Sequence, residues 1–123
     1  MIPKDRIVVT SGDYYILKVE DLRFLQKCRA QGDWLIVGLS SDIATHMKTG
    51  TLYNPYDDRQ ELLQGFKCVD EIIRYNDADC TDCNLLKAVK LFYPQAVITY
   101  VSKHDMHNMP ETRIRGITFQ VID

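Results

Sequence analysis

"VVTSGDYYILKVEDLRFL", residues 8–25, runs from a β-branched apolar stretch through Gly12 into a segment of helical period that opens with Glu20 and Asp21. A strand, a glycine turn and a helix in that order are the first half of a βαβ unit. Such a junction often holds phosphate, because the first N–H groups of a helix lack intrahelical partners and carry roughly half a positive charge. Here the same place carries carboxylates at Asp13, Glu20 and Asp21. Two readings fit Glu20 and Asp21: side chains that fill part of the helix N-terminus from within, or ordinary first-turn acids that stabilise the helix by about 0.3–1 kcal/mol.

Outward from this stretch the βα rhythm repeats. Apolar runs at Ile7 to Thr10, Trp34 to Leu39, Glu71 to Tyr75, Ala96 to Val101 and Ile117 to Ile122 alternate with segments of helical period. That alternation predicts parallel strands joined by crossover helices. Val19, Leu22, Leu25 and Cys28 recur at three-residue spacing, and Gly32 is the expected stop of that helix. "SSDIATHMKTG" (40–50) offers a cap and a terminal glycine for a short helix. In "YNPYDDRQELLQGF" (53–66), Asn54 is the expected cap, Pro55 the first helical residue, and Asp57 and Asp58 the first-turn acids. A further helix is expected from about Asp82 to Phe92, ended by Pro94, and "SKHDMHNMPETRIRG" (102–116) reads as a long loop.

The chain has 123 residues, 46% of them hydrophobic and 26% charged, which suits one domain with one core. A net charge of −2 gives no general attraction to nucleic acid or to an anionic membrane. No run approaches the roughly 20 apolar residues of a membrane span, and "MIPKDRIVV" lacks a signal-peptide core, so a cytoplasmic protein is expected. The four cysteines are then expected to be reduced, with Cys28 and Cys68 acting as small apolar residues.

"CTDC" (80–83) and "HDMH" (104–107) invite a zinc reading through Cys80, Cys83, His104 and His107. Sheet order weighs against it. In the order 3-2-1-4-5 implied by the family that the chain resembles, strands 3 and 4 are separated by strands 2 and 1 and their ends lie roughly 14 Å apart, whereas zinc ligands converge within about 2.3 Å of one ion. No metal site is expected within one chain. A phosphate-loop G-x-x-x-x-G-K-[ST] motif and a G-x-S-x-G elbow are both missing from the sequence, and the third histidine, His46, reads as a helix-surface residue.

Several strings together resemble the small cytidylyltransferases, most closely the glycerol-3-phosphate cytidylyltransferase type. They are "GDWLIVGLSSD" (32–42), Lys48, "YNPYDDRQELL" (53–63) with Arg59 at the helix arginine, and "CVDEII" (68–73). The resemblance implies a Rossmann-like three-layer α/β fold, with a five-stranded, mainly parallel sheet in order 3-2-1-4-5. It also implies transfer of a nucleotidyl group from CTP or ATP to a phosphorylated alcohol or sugar, with release of pyrophosphate, and a homodimer.

The family's first signature, G-x-F-D-x-x-H-x-G-H, falls on "GDYYILKVED". Gly12 matches and Tyr14 stands for the aromatic; Tyr15 replaces the acid, Lys18 the first histidine, Glu20 the glycine and Asp21 the second histidine. The second signature, R-T-x-G-x-S-T-T, would follow Asp123, where the sequence stops, and is expected to be missing. Nucleotidyl transfer needs donors aimed at oxygens that gain charge. A carboxylate about 4 Å from a phosphate charge instead opposes it by about 4 kcal/mol at an effective dielectric near 20.

The expectation is therefore a domain with lost or strongly weakened catalysis, needing no cofactor and acting through an unknown protein partner. The alternative is an active enzyme that uses Lys18 as the candidate catalytic group, with Lys48, Arg59 and a histidine of the 102–110 loop, and Mg²⁺ to screen the acids. The nucleotide-site positions implied are Gly12, Asp13, Tyr14, Lys18, Glu20, Asp21, Lys48 and Arg59. Surface helices also carry lysines and arginines, so Lys18, Lys48 and Arg59 equally fit solvent-facing positions.

Overall fold

The computed structural model describes residues 5–14, 16–42, 54–75, 83–102 and 116–122. Its elements are β1 (Arg6–Gly12), α1 (Val19–Arg29), β2 (Trp34–Ser40), α2 (Tyr56–Gln64), β3 (Glu71–Tyr75), α3 (Cys83–Phe92), β4 (Val97–Ser102) and β5 (Ile117–Val121). The five strands form one sheet in the order β3-β2-β1-β4-β5, and all four pairings are parallel. Central β1 pairs Ile7 with Trp34 on one side and with Ile98 on the other.

Alternation along β1 divides the core into two layers. Ile7 and Val9 pack with Leu85, Leu86 and Val89 of α3. Val8 faces the other way, into a cluster with Phe24, Leu25 and Cys28 of α1 and Tyr56 and Leu63 of α2. Successive strand residues point to opposite faces, so one apolar run builds both layers. The result is the three-layer α/β sandwich expected from the βα rhythm, and no helix among the described residues is long and apolar enough to cross a membrane.

Some boundaries differ from the expectations. β1 is longer at both ends, while β4 and β5 shift or shorten by one residue. α1 stops before Gly32: its C-cap is Ala30, in ordinary right-handed geometry, with its N–H on the Gln26 carbonyl at 3.1 Å, while the Gln31 N–H takes the Cys28 carbonyl at 3.0 Å. The cap of α2 is Pro55, not Asn54. Proline's fixed φ of −66° suits either position, but ψ of 161° makes Pro55 extended, and its carbonyl accepts the Arg59 N–H at 3.1 Å. The expected helix in 40–50 and the loop of 102–116 lie almost wholly outside the described residues, as do Lys48, Cys80, His46, His104 and His107.

Candidate functional site

In an open parallel sheet, ligands bind beyond the carboxyl ends of the strands, where neighbouring strands send their connections to opposite faces. Here β1 continues to β2 on one side and neighbours β4 on the other, so the switch point lies between β1 and β4. A cleft of about 400 Å³ opens there. β1 supplies Thr10, Ser11 and Gly12, and β4 supplies Tyr100, Val101 and Ser102. The β1–α1 junction and the start of α1 add Asp13, Tyr14, Ile16, Lys18, Glu20 and Asp21, with Phe24 one turn further on.

Six sequence-named positions therefore meet in one cleft: Gly12, Asp13, Tyr14, Lys18, Glu20 and Asp21. Tyr14 turns inward with φ of 47°, in the left-handed region that side chains seldom enter. Its ring lies so close over Gly12 that a Cβ there would sit 2.7 Å from Tyr14 Cε2, which explains the glycine. The phenol packs against the α1-side core, and burial, with smaller contributions from Cys28, Asp21 and Asp13, pushes its pKa far up. Tyr14 is a neutral wedge under the junction.

At the start of α1, Lys18 is the N-cap in extended geometry. Its backbone N–H donates to Asp21 Oδ2 at 2.9 Å, and Asp21 N–H returns to the Lys18 carbonyl at 3.0 Å. An ammonium has no acceptor, so Lys18 cannot supply the side-chain half of a capping box; Asp21 supplies its half alone. Of the two readings of the acids, Asp21 fits the one in which the helix start is served from within. Glu20 is an exposed first-turn acid.

Arg59 is not in the cleft. It has no solvent exposure at all, which overturns the solvent-facing reading of this residue. Nε donates to the Asn54 carbonyl at 3.0 Å, Nη1 to the carbonyls of Asp13 at 2.7 Å and Ser40 at 2.9 Å, and Nη2 to Asp42 Oδ1 at 2.8 Å. The guanidinium also lies 5.7 Å from the Tyr56 ring centroid. The arginine ties the β1–α1 junction, the end of β2 and the entry to α2 into one knot. The signal for this was in the sequence: Tyr56, Arg59 and Leu63 share the i, i+3, i+7 stripe, and all three are buried.

The hydroxyls were the residues missed. Ser11 Oγ and Tyr100 OH are 2.6 Å apart across 89 residues of chain, and Ser40 Oγ donates to Asp13 Oδ1 at 2.6 Å. Only strand order brings them together; no local motif marks them. Among the described residues, no three His, Cys, Asp or Glu side chains group tightly enough to hold a metal ion. The four residues of the zinc reading that sheet order weighed against lie outside the described residues, except for the Cys83 backbone.

Known proteins share this fold. A structure of the lipopolysaccharide core biosynthesis protein from Thermoplasma volcanium GSS1 superposes with a TM-score of 0.68 over 96% of each chain, at 20% identity, which shows the shared fold. The bifunctional protein HldE of Wolinella succinogenes is 36% identical over 87 residues, 69% of this chain, and that of Pseudomonas fluorescens 38% identical over 88 residues, 70% of the chain. The chain spans only 18% of the length of either relative. These relatives bear out the expected family without supporting a special closeness to the glycerol-3-phosphate type. A model of the cytidylyltransferase-like family matches residues 21–118, beginning just past most of the altered first signature. With that match spanning most of the sheet and its helices, the chain belongs to the cytidylyltransferase-like family.

Proposed function

We propose that this is a cytidylyltransferase-like domain in which nucleotidyl transfer is lost or strongly weakened, and which acts as a protein-interaction or regulatory module. One observation carries the reading: the Asp21 carboxylate, 2.9 Å from the Lys18 N–H, occupies the helix start that would otherwise face a phosphate. Asp13 and Glu20 line the same cleft, so the charge there opposes a triphosphate. Arg59, the cation at the helix-arginine position, is committed to the scaffold. No cofactor is required in this reading. A homodimer is the proposed assembly, because the enzymes of the family commonly dimerise, and the cytoplasm the proposed compartment, which suits Cys28 and Cys68, joined in no disulfide among the described residues.

A second reading is supported by the hydroxyl wall of Thr10, Ser11, Tyr100 and Ser102, which can supply donors. It is a working enzyme joining CTP or ATP to a phosphorylated alcohol or sugar, with Lys18 and Lys48 on the phosphates. Mg²⁺ would then arrive on the triphosphate, since the cleft carboxylates do not form a cluster that could hold it alone. Calorimetry with CTP and ATP, with and without Mg²⁺, separates the two, alongside pyrophosphate release with glycerol 3-phosphate. The first reading expects neither micromolar binding nor turnover. Release at about 1 s⁻¹ or faster, an ordinary enzyme rate, selects the second.

A further inference from the structure

Thr10 is 2% exposed and lines the cleft, and its hydroxyl has no hydrogen-bond partner among the described residues. Buried hydroxyls are almost always bonded, and valine would fill the same space without the polar atom. The position therefore points to a partner that arrives with a ligand. Around it the wall carries three carboxylates, Asp13, Glu20 and Asp21, against one ammonium, Lys18. A concave site of one sign concentrates ligands of the other. Phe24 and Ile16 add an apolar flank, and about 400 Å³ lies within the usual range for small-molecule sites.

We infer that the cleft binds a small polyhydroxylated organic cation, of the amino-sugar class. The hydroxyls of such a ligand match Thr10 and the Ser11–Tyr100 pair, its ammonium matches the acids, and its C–H face matches Phe24. This inference rests on the reading that the acids exclude a triphosphate. Binding here requires no bond to form or break.

Calorimetry on the full chain with glucosamine, glucose and CTP tests it. Glucosamine should bind at least tenfold more tightly than glucose, and its affinity should fall with added salt. Glu20→Gln, at an exposed position, should weaken glucosamine severalfold and leave glucose unchanged. Thr10→Val should weaken both sugars while the melting curve confirms folding. No binding of either sugar, equal affinities, or indifference of glucosamine to Glu20→Gln would overturn the inference. If CTP is also silent, the weakened-transfer reading survives that failure; if CTP binds in the micromolar range, both fall.

Discussion

Arg59 is a charge with no access to water, held by three carbonyls and the Asp42 carboxylate. Removing one partner of such a buried network usually destabilises by about 3–5 kcal/mol. Arg59→Ala should lower stability by that order in urea unfolding. Arg59→Lys should recover little, because one ammonium nitrogen cannot span acceptors on three segments. A second residue-scale test lies at the other end of the sheet. Tyr93 OH donates to Glu71 Oε1 at 2.6 Å, and that bond, aided by burial, raises the phenol from 10.0 to about 12. The fold thus favours the neutral phenol. Its contribution is complete below pH 10, where the unfolded tyrosine is also neutral, and is lost as pH rises toward 12. The melting temperature of the wild type should fall more steeply than that of Tyr93→Phe between those limits.

At the scale of elements, α1 is where family and chain part company. Asp13→Thr, Lys18→His, Glu20→Gly and Asp21→His together remove three like charges and supply imidazole donors. CTP affinity should rise at least tenfold, about 1.4 kcal/mol, by calorimetry. The new glycine in the first turn should cost up to about 1 kcal/mol of stability. A folded variant with no gain in affinity would show that the acids were not the obstacle. Element types were legible from periodicity, and β3 runs over the expected residues from Glu71 to Tyr75. The start of α2 was not, because composition reports proline's φ while ψ decides which side of the helix boundary it occupies. Arg59 was misjudged for a related reason: charge suggests a surface, and its place on the buried stripe outweighs that once its donors are matched.

Over the whole molecule, the sheet order decides what meets what. The switch point could be placed once the order was expected, and the acids of the first turn with it. The Ser11–Tyr100 pair could not, since a serine in a strand end carries no mark of a partner 89 residues away. Packing across the layers is equally specific. A Cβ on Gly38, in the middle of β2, would run into the Leu85 side chain of α3, so the fully packed leucine would have to shift to admit it. Gly38→Ala should therefore destabilise by about 1–3 kcal/mol, the usual cost of overpacking, and Gly38→Ala with Leu85→Val should regain part of it by thermal unfolding.

The Arg59 knot has a consequence for how freely this surface can change. Three of its five acceptors are main-chain oxygens, at Asp13, Ser40 and Asn54, and every amino acid carries one. The bend that forms the cleft floor is thus enforced without reference to side-chain identity at position 13. Substitutions on the wall alter the chemistry of the lining while the curve of the backbone persists, so that chemistry can drift across generations on an unchanged frame.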